Sequence, residues 1–511
     1  MSEVLAEAER LDKAGEYQGI VNLLVQRSNE PSLFVTLLCH LLKTHRFAAA
    51  HHVSSALVGV GVDHFLPHFG RAVGGLLLAQ PAAQTESNRE LARLIDVLPP
   101  QSQEIFCAEV LRPAMYGVVG VALRTGDWCL MPGAIELIKS ASPKFRVMFD
   151  WSGEAPTDIE VMRREGQAGA RLIQYRSPPP NAPRVAHRAV VALRSRIFPQ
   201  NPQSRELDIG PRFMDAAERY GWPARFAPTS WLNVQGDFDS VLAACCEHSA
   251  DILILDDQLV QSSWTLAPRR DFITRLRAER PGIKVVALYL DSWEIDPALL
   301  REAVTDVDAV WATAPAMPHW REPAFAAKTL HAPLVHGGHA KSPNGLAPGR
   351  LSFVGGVMGY NWHRALWRTA SIVNDLPIDW HLSTHQADGL PPLESYRAYM
   401  EKLGTSGCSL NLAMRPDLSC VATDRSFEAP LAGALLVQEA ADDLDYFFIA
   451  GEHYLRFSTF AELRAITELI ERQPDAVQAI RAAGHEFAVS RYSDEKLMSY
   501  LDAILFHTLN G

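Results

Sequence analysis

The sequence contains no apolar run approaching the roughly 18 to 20 residues that span a bilayer, so no transmembrane helix is expected in its 511 residues. None of its seven cysteines forms a Cys-x-x-Cys pair. That excludes zinc-ribbon and thioredoxin-type motifs, and the odd, scattered set predicts reduced core thiols instead of a disulfide framework. Positive charge is also short, the formal net charge being −11. A general nucleic-acid binder needs a basic face to displace phosphate counterions, so that class is excluded, although a local basic pocket for a diphosphate is not. Residues 1–27 carry charges throughout, which argues against a secretory leader, and a cytoplasmic protein is expected. His336 and His339 flank Gly337-Gly338 without helical spacing or a neighbouring acid. They predict cleft or hinge residues, and no metal site is expected.

What is present is enough apolar material, 48% of the chain, for about three domains of ordinary size. Up to residue 141 the spacing is helical: Leu5, Ala8, Leu11, then Ile20, Leu23, Leu24, then Leu37, Leu38, Leu41, Leu42. Gly15-Glu16-Tyr17 before Ile20 is echoed by His45-Arg46-Phe47 and by Gly126-Asp127-Trp128. The first interval is close to the roughly 34 residues of tetratricopeptide helix pairs. An all-α domain over 1–141 is therefore expected, as a tetratricopeptide-like array or an irregular bundle. Its helical faces suit a protein partner or a homodimer.

At Phe145 the period changes. Strands are expected at 146–150, 171–175, 224–227, 251–255, 284–290 and 309–312, and helices at 185–196, 213–220, 239–248, 272–280 and 299–304. Repeated β-α units imply a parallel sheet with its functional loops at the strand carboxyl ends, a Rossmann-like domain over 142–345. Asp150, Asp256, Asp257 and Asp291 stand at such ends. Side by side they would line one cleft as candidate catalytic acids, although an aspartate after a strand also serves to cap the next helix.

A second doubly wound unit is expected over 346–511. A strand at 351–354 runs into Gly355, Gly356 and Gly359, and Asn361 would cap a helix with Trp362, Leu366, Thr369 and Val373 facing inward. Strand, glycines and helix N-terminus is an arrangement that binds phosphate through backbone amides, with Arg364 one turn into the helix to pair with its oxygens. Strands at 379–382 and 408–412 and a helix at 396–402 lead to the key stretch. There Ser426 would be an N-cap, Pro430 falls in the first helical turn, Gly433 ends the helix and 434–437 is a buried strand. This puts Arg425 and Glu428 beside the carboxyl edge of the sheet. An ionised glutamate there can grip two neighbouring ribose hydroxyls. Helices at 462–472, 476–490 and 494–509 would cover the sheet.

The pattern Arg425-Ser426-Phe427-Glu428-Ala429 with Gly433-Ala434-Leu435-Leu436, then Asp443-Leu444, 447–452, Ala461-Glu462-Leu463 and 480–486, resembles the C-terminal half of group-1-like glycosyltransferases. Within them it is most similar to the CgeB-like, spore-maturation-type branch, whose strand-end aspartate Leu290-Asp291-Ser292-Trp293 also resembles. The resemblance is good over 351–501, weaker over 144–339 and absent before. It implies GT-B architecture, two Rossmann-like domains with a nucleotide-sugar in the cleft and a last helix that crosses back to the first. It assigns Glu428 to the donor ribose. Related enzymes carry a second glutamate eight positions earlier, where this chain has Cys420.

The implied activity is transfer of a sugar from a UDP- or similar nucleotide-sugar to an acceptor hydroxyl, on a small molecule or a protein. The donor is a substrate, and no separate cofactor is expected. Asp291 would be the base of an inverting reaction, with Asp257 and Asp150 as further acids. The donor-side residues would be Gly355, Gly356, Arg364, Arg425 and Glu428. The alternative is a catalytically inactive GT-B-like scaffold that acts through its helical domain.

Overall fold

The computed structural model describes residues 143–150, 158–175, 186–196, 206–230, 234–256, 266–290, 297–316, 322–338, 350–356, 362–382, 390–414 and 420–510, with a few isolated positions. Before residue 143 it describes chiefly 14–25 and 47–59. The expected strand-helix alternation appears as two wholly parallel sheets. β1 (Ala189–Ala192), β2 (Ala224–Phe226), β3 (Ile252–Asp256), β4 (Lys284–Tyr289), β5 (Ala309–Ala312) and β6 (Thr329–His331) lie in the order β2-β1-β3-β4-β5-β6. β7 (Leu351–Gly355), β8 (Ile378–Leu382), β9 (Cys408–Asn411), β10 (Leu435–Glu439) and β11 (Leu455–Phe457) lie in the order β11-β10-β9-β7-β8. Two Rossmann-like sheets with helical cover are the GT-B arrangement that the resemblance implied.

The departures have local causes. The helix expected at 185–196 is β1: alternate residues face opposite apolar layers, Ala189 and Val191 one, Val190 and Ala192 the other, and all four are buried. A central parallel strand is apolar on both faces, so it lacks the alternation that betrays an exposed strand. The strand expected at 146–150 is instead the helix Pro143–Met148 with a final turn. Phe145 and Phe149, four residues apart, stack at 6.2 Å, and Phe149 meets Trp367 at 5.0 Å. Residues 171–175 are extended but take no place in either sheet. Arg171 N and Ile173 N donate to the carbonyls of Asp445 and Tyr446 at 2.8 and 3.0 Å. The helix Ile159–Gly169, capped by Asp158, docks on the second-sheet unit, with Gly166 against the Ala450 backbone.

The helices Phe460–Arg472 and Pro474–Tyr492 pack on the second sheet, the former opened by a capping box between Thr459 and Glu462. The last helix, Asp494–Asn510, returns to the first-sheet unit as expected, where Tyr220 donates to Asp502 at 3.3 Å. In the helix Trp362–Val373 Leu366 and Thr369 face inward as expected, whereas Val373 is 52% exposed at the helix end. Of the N-terminal segment, Tyr17–Val25 and Phe47–Gly59 are helices in mutual contact, and Ile20 and Val53 share an apolar cluster with Trp367 and Leu463. The echo at 125–128 lies outside the described residues. Among the described residues no helix is long and apolar enough to cross a membrane, and Cys245, Cys246, Cys408 and Cys420 are free thiols.

Candidate active site at the carboxyl edge of the second sheet

β7 delivers Phe353 and then Gly355, whose φ is +153°. A Cβ at Gly355 would lie 2.6 Å from the Arg425 guanidinium, so glycine lets that cation lie against the backbone. The guanidinium carbons of Arg425 and Arg364 sit 5.2 and 5.8 Å from the centre of the Phe353 ring, within cation–π range. Arg364 Nη1 donates to the Gly356 carbonyl at 3.2 Å. Arg364 and Arg425 thus share one aromatic ring, and each also lies against one of the two glycines, Gly356 and Gly355.

Glu428, the fifth donor-side residue expected from sequence, stands on the helix Arg425–Leu431, which begins two residues earlier than expected, with Asp424 as the flanking residue. Ser426 is not the N-cap. Its hydroxyl donates to Gln438 at 3.0 Å and accepts from Asn411 Nδ2 at 3.2 Å and from Thr423 N at 3.1 Å. A buried polar cluster at the ends of β9 and β10 therefore claims this side chain, because unpaired polar atoms there would lose their hydration without return. The cluster anchors the helix to the sheet and so fixes where Glu428 points.

Glu428 is 5% exposed. Tyr399 Oη donates to its Oε2 at 2.9 Å and accepts from Arg425 Nε at 3.1 Å. Because Arg425 Nε–H can only donate, the tyrosine proton points at Glu428 whenever that carboxyl group is ionised. The other carboxylate oxygen faces Arg212 Nη1 at 3.8 Å. Arg212 comes from the helix Ile209–Tyr220 of the first-sheet unit, lies 4.3 Å over the Tyr396 ring, and donates to Asp424 at 3.2 Å. Burial, and after it Asp424, push Glu428 up to about 7, against the pull of Arg212, Arg425 and the tyrosine bond. The sequence predicted an ionised acid held by the first-turn dipole, and burial works against that charge.

Below this cluster the two units are tied at the glycine pair. Asp494 Oδ1 accepts from His336 N at 2.5 Å, while its Oδ2 accepts from Gly338 N at 2.7 Å and from Arg219. His336 is buried with its ring against the Tyr396 hydroxyl at 3.1 Å, and burial pushes it down to about 3. It lies between β6 and β7, in the stretch that joins the two sheets. His339 lies outside the described residues, and no group of potential metal ligands occurs among those described.

The acids of the first half are dispersed or undescribed. Asp150 follows a helix, not a strand; it is exposed and accepts from Ser152 N and Oγ at 3.1 and 2.7 Å. Asp257 and Asp291 lie outside the described residues, just beyond β3 and β4. Asp256 ends β3, buried, with Arg194 Nε at 3.7 Å. Sequence reasoning missed Arg212, Tyr399 and Asp424. Asp424 was readable as the acid directly before the key helix, but a lone arginine or tyrosine on an ordinary amphipathic helix carries no signal until its partner is known.

Residues 351–502 match the model of a glycosyl transferase-like family. The second-sheet unit is thus glycosyl transferase-like. No curated protein matches the chain. Among solved structures, the chain is similar to Anabaena Alr3699/HepE in complex with UDP-glucose, at 12% identity and TM-score 0.42, over 63% of this chain and 99% of the other. It is similar to a sucrose-phosphate synthase from Thermosynechococcus elongatus at 10% identity and TM-score 0.42, over 63% and 99%. A third is AviGT4, a glycosyltransferase involved in avilamycin A biosynthesis, at 10% identity and TM-score 0.41, over 64% and 99%. The matched segment begins at β7 and contains Gly355, Gly356, Arg364, Arg425 and Glu428.

Proposed function

We propose that this chain transfers a sugar from a uridine or similar nucleotide-sugar to an acceptor hydroxyl, with the donor held at the carboxyl edge of the second sheet. The observation that carries the reading is the convergence of Arg364 and Arg425 on Phe353 and on the glycines Gly356 and Gly355, with Glu428 joined to Arg425 through Tyr399. In this reading Glu428 accepts from the ribose hydroxyls, and Arg364 and Arg425 face the diphosphate. Negative charge grows on that diphosphate as it leaves, so fixed cations and backbone amides lower the barrier by stabilising it where it develops. Asp291, beyond β4, is the proposed base for an inverting transfer and Asp257 the neighbour that would assist; a retaining transfer needs neither.

The finer assignments rest on sequence. We place the chain in the CgeB-like branch on its motifs, divide it near 142 and 346, and take the segment up to 141, with its repeat-like spacing, as the surface that recognises a protein acceptor. The decisive test is calorimetric titration of the folded protein with UDP and UDP-sugars, beside Glu428→Ala. Charge-assisted hydrogen bonds contribute about 1.5 to 3 kcal/mol, so the substitution should weaken binding about tenfold or more. Unchanged affinity in a folded variant would remove Glu428 from the site. No nucleotide binding by the wild type would favour the non-catalytic scaffold, which Cys420 in the place of an acid would suit.

A further inference from the structure

Glu428 is assigned to the donor by its place in the second-sheet unit, yet one of its two oxygens looks at a cation from the other unit. Arg212 is 2% exposed. Its guanidinium is fixed from several sides: Tyr396 beneath at 4.3 Å, Asp424 Oδ2 at 3.2 Å, Asp208 Oδ1 at 3.6 Å and Glu428 Oε1 at 3.8 Å. A buried arginine is expensive to desolvate and stays only where several acceptors converge on it. Three carboxylates and an aromatic face supply that need here.

The direction of the hydrogen bonds gives this arrangement a consequence. As long as Tyr399 donates to Oε2, the oxygen open to a proton on Glu428 is Oε1, which faces Arg212. Cation and proton then compete for the same side of the carboxyl group. The groups facing Glu428 from each packed element are Arg212, with Asp208 behind it, from the first-sheet helix; Tyr396 and Tyr399 from the helix Pro392–Ser406; and Asp424 and Arg425 from its own helix. His336, beyond Tyr396, is held neutral. Of the cations, Arg425 is local to the second sheet, and Arg212 is delivered only when the two units are docked.

Resting on the reading of Glu428 as the ribose-binding group, we propose that Arg212 is a positioning residue for the donor: it keeps the Glu428 carboxylate charged and aimed, so that contact with the first-sheet unit makes the nucleotide site competent. A charged carboxylate has acceptor capacity left for ribose after Tyr399 and Arg212 are satisfied, whereas a protonated one would offer a donor in their place. Burial and Asp424 push Glu428 towards neutral values, and Arg212 is foremost among the groups that pull the other way.

The test is the affinity for UDP measured from pH 5.5 to 9 in wild type, Arg212→Gln, Arg212→Lys, Asp424→Asn and Glu428→Gln. The Glu428→Gln profile carries the ligand's own titration, and the others are read as ratios to it. The wild-type ratio should rise with pH through a midpoint near neutrality. In Arg212→Gln the midpoint should move up by about one unit or more, weakening UDP at pH 7 about tenfold, and Arg212→Lys should restore most of it. Asp424→Asn, whose side chain is 34% exposed, should move it down; if Arg212→Gln does not fold, this opposite shift carries the test. Coincident midpoints in the Arg212→Gln, Asp424→Asn and wild-type proteins overturn the inference. If Glu428→Gln binds UDP like wild type at every pH, the ribose reading itself fails; if it binds weakly while the midpoints of the others coincide, only the role of Arg212 fails.

Discussion

Replacing Gly355 by alanine tests the donor site through a single methyl group. The new Cβ would stand 2.6 Å from an Arg425 nitrogen, where ordinary contact begins at 3.4 Å, so the guanidinium must retreat by about 0.8 Å. Arg425 holds Tyr399 at 3.1 Å. Where the retreat swings the whole guanidinium, that bond lengthens, and with it weakens the link between Arg425 and the tyrosine that donates to Glu428. A hydrogen bond to a charged group is worth about 1.5 to 3 kcal/mol, or roughly ten- to hundredfold in nucleotide affinity if the loss appears in binding. Alanine at φ +153° adds backbone strain of about 1 to 3 kcal/mol, which should appear separately as a lower urea midpoint. Titration with UDP well below the melting temperature separates the two effects. A folded Gly355→Ala protein that binds UDP within about twofold of wild type would refute the placement of Arg425 against this glycine.

At Gly166 an added Cβ would meet the Ala450 carbonyl oxygen at 2.3 Å, backbone against backbone, so Gly166→Ala should destabilise by about 1 to 3 kcal/mol in urea unfolding; an unchanged midpoint would mean that the helix Ile159–Gly169 does not dock there. His336, pushed from 6.5 to about 3 chiefly by burial, is protonated first in the unfolded chain. Its contribution is therefore complete above about 6.5 and drains away as pH falls towards about 3. Glu428, raised from 4.5 to about 7, acts in the opposite sense, its contribution present below about 4.5 and lost as pH rises through about 7. The urea midpoint of His336→Asn should accordingly fall less between pH 6.5 and 4.5 than that of wild type, and equal slopes would contradict the burial argument. Because Arg364 and Arg425 supply the positive charge at the site, excess chelator should leave UDP affinity and donor turnover unchanged; a loss restored by magnesium or manganese would count against this.

Both sheets were legible where a strand is a run of buried apolar residues between turn signals, as in Ile252–Asp256 and Lys284–Tyr289. The helix carrying Glu428 was legible from its proline and its glycine. What escaped depends on partners distant in sequence. β6 and β11 are three residues each, too short to show a period, and exist because a neighbouring strand offers its edge. Residues 143–150 look like a strand because Phe145, Val147 and Phe149 alternate with charged or sulfur-bearing side chains. The helix wins because Phe145 and Phe149 then fall on one face against Trp367. Arg212 was invisible for a related reason: nothing local distinguishes an arginine that will be buried beneath another unit from one that will be solvated.

The path of the chain between the sheets has a mechanical consequence. Residues 143–175 lie mainly with the second sheet, β1 to β6 form the first, residues 350–492 return to the second, and Asp494–Asn510 ends on the first. Three covalent connections therefore pass from one unit to the other: residues 176–185, residues 339–349, and the single step at Ser493. Two bodies joined once can swivel about the joint in any direction, and each further covalent tether removes some of those rotations. Ser493 is the shortest of the three, a single residue, and Asp494 beside it is fastened to His336 and Gly338. Relative motion of the two sheets should thus be smallest near Asp494, and cutting the chain at any one connection should widen the motion without separating the units.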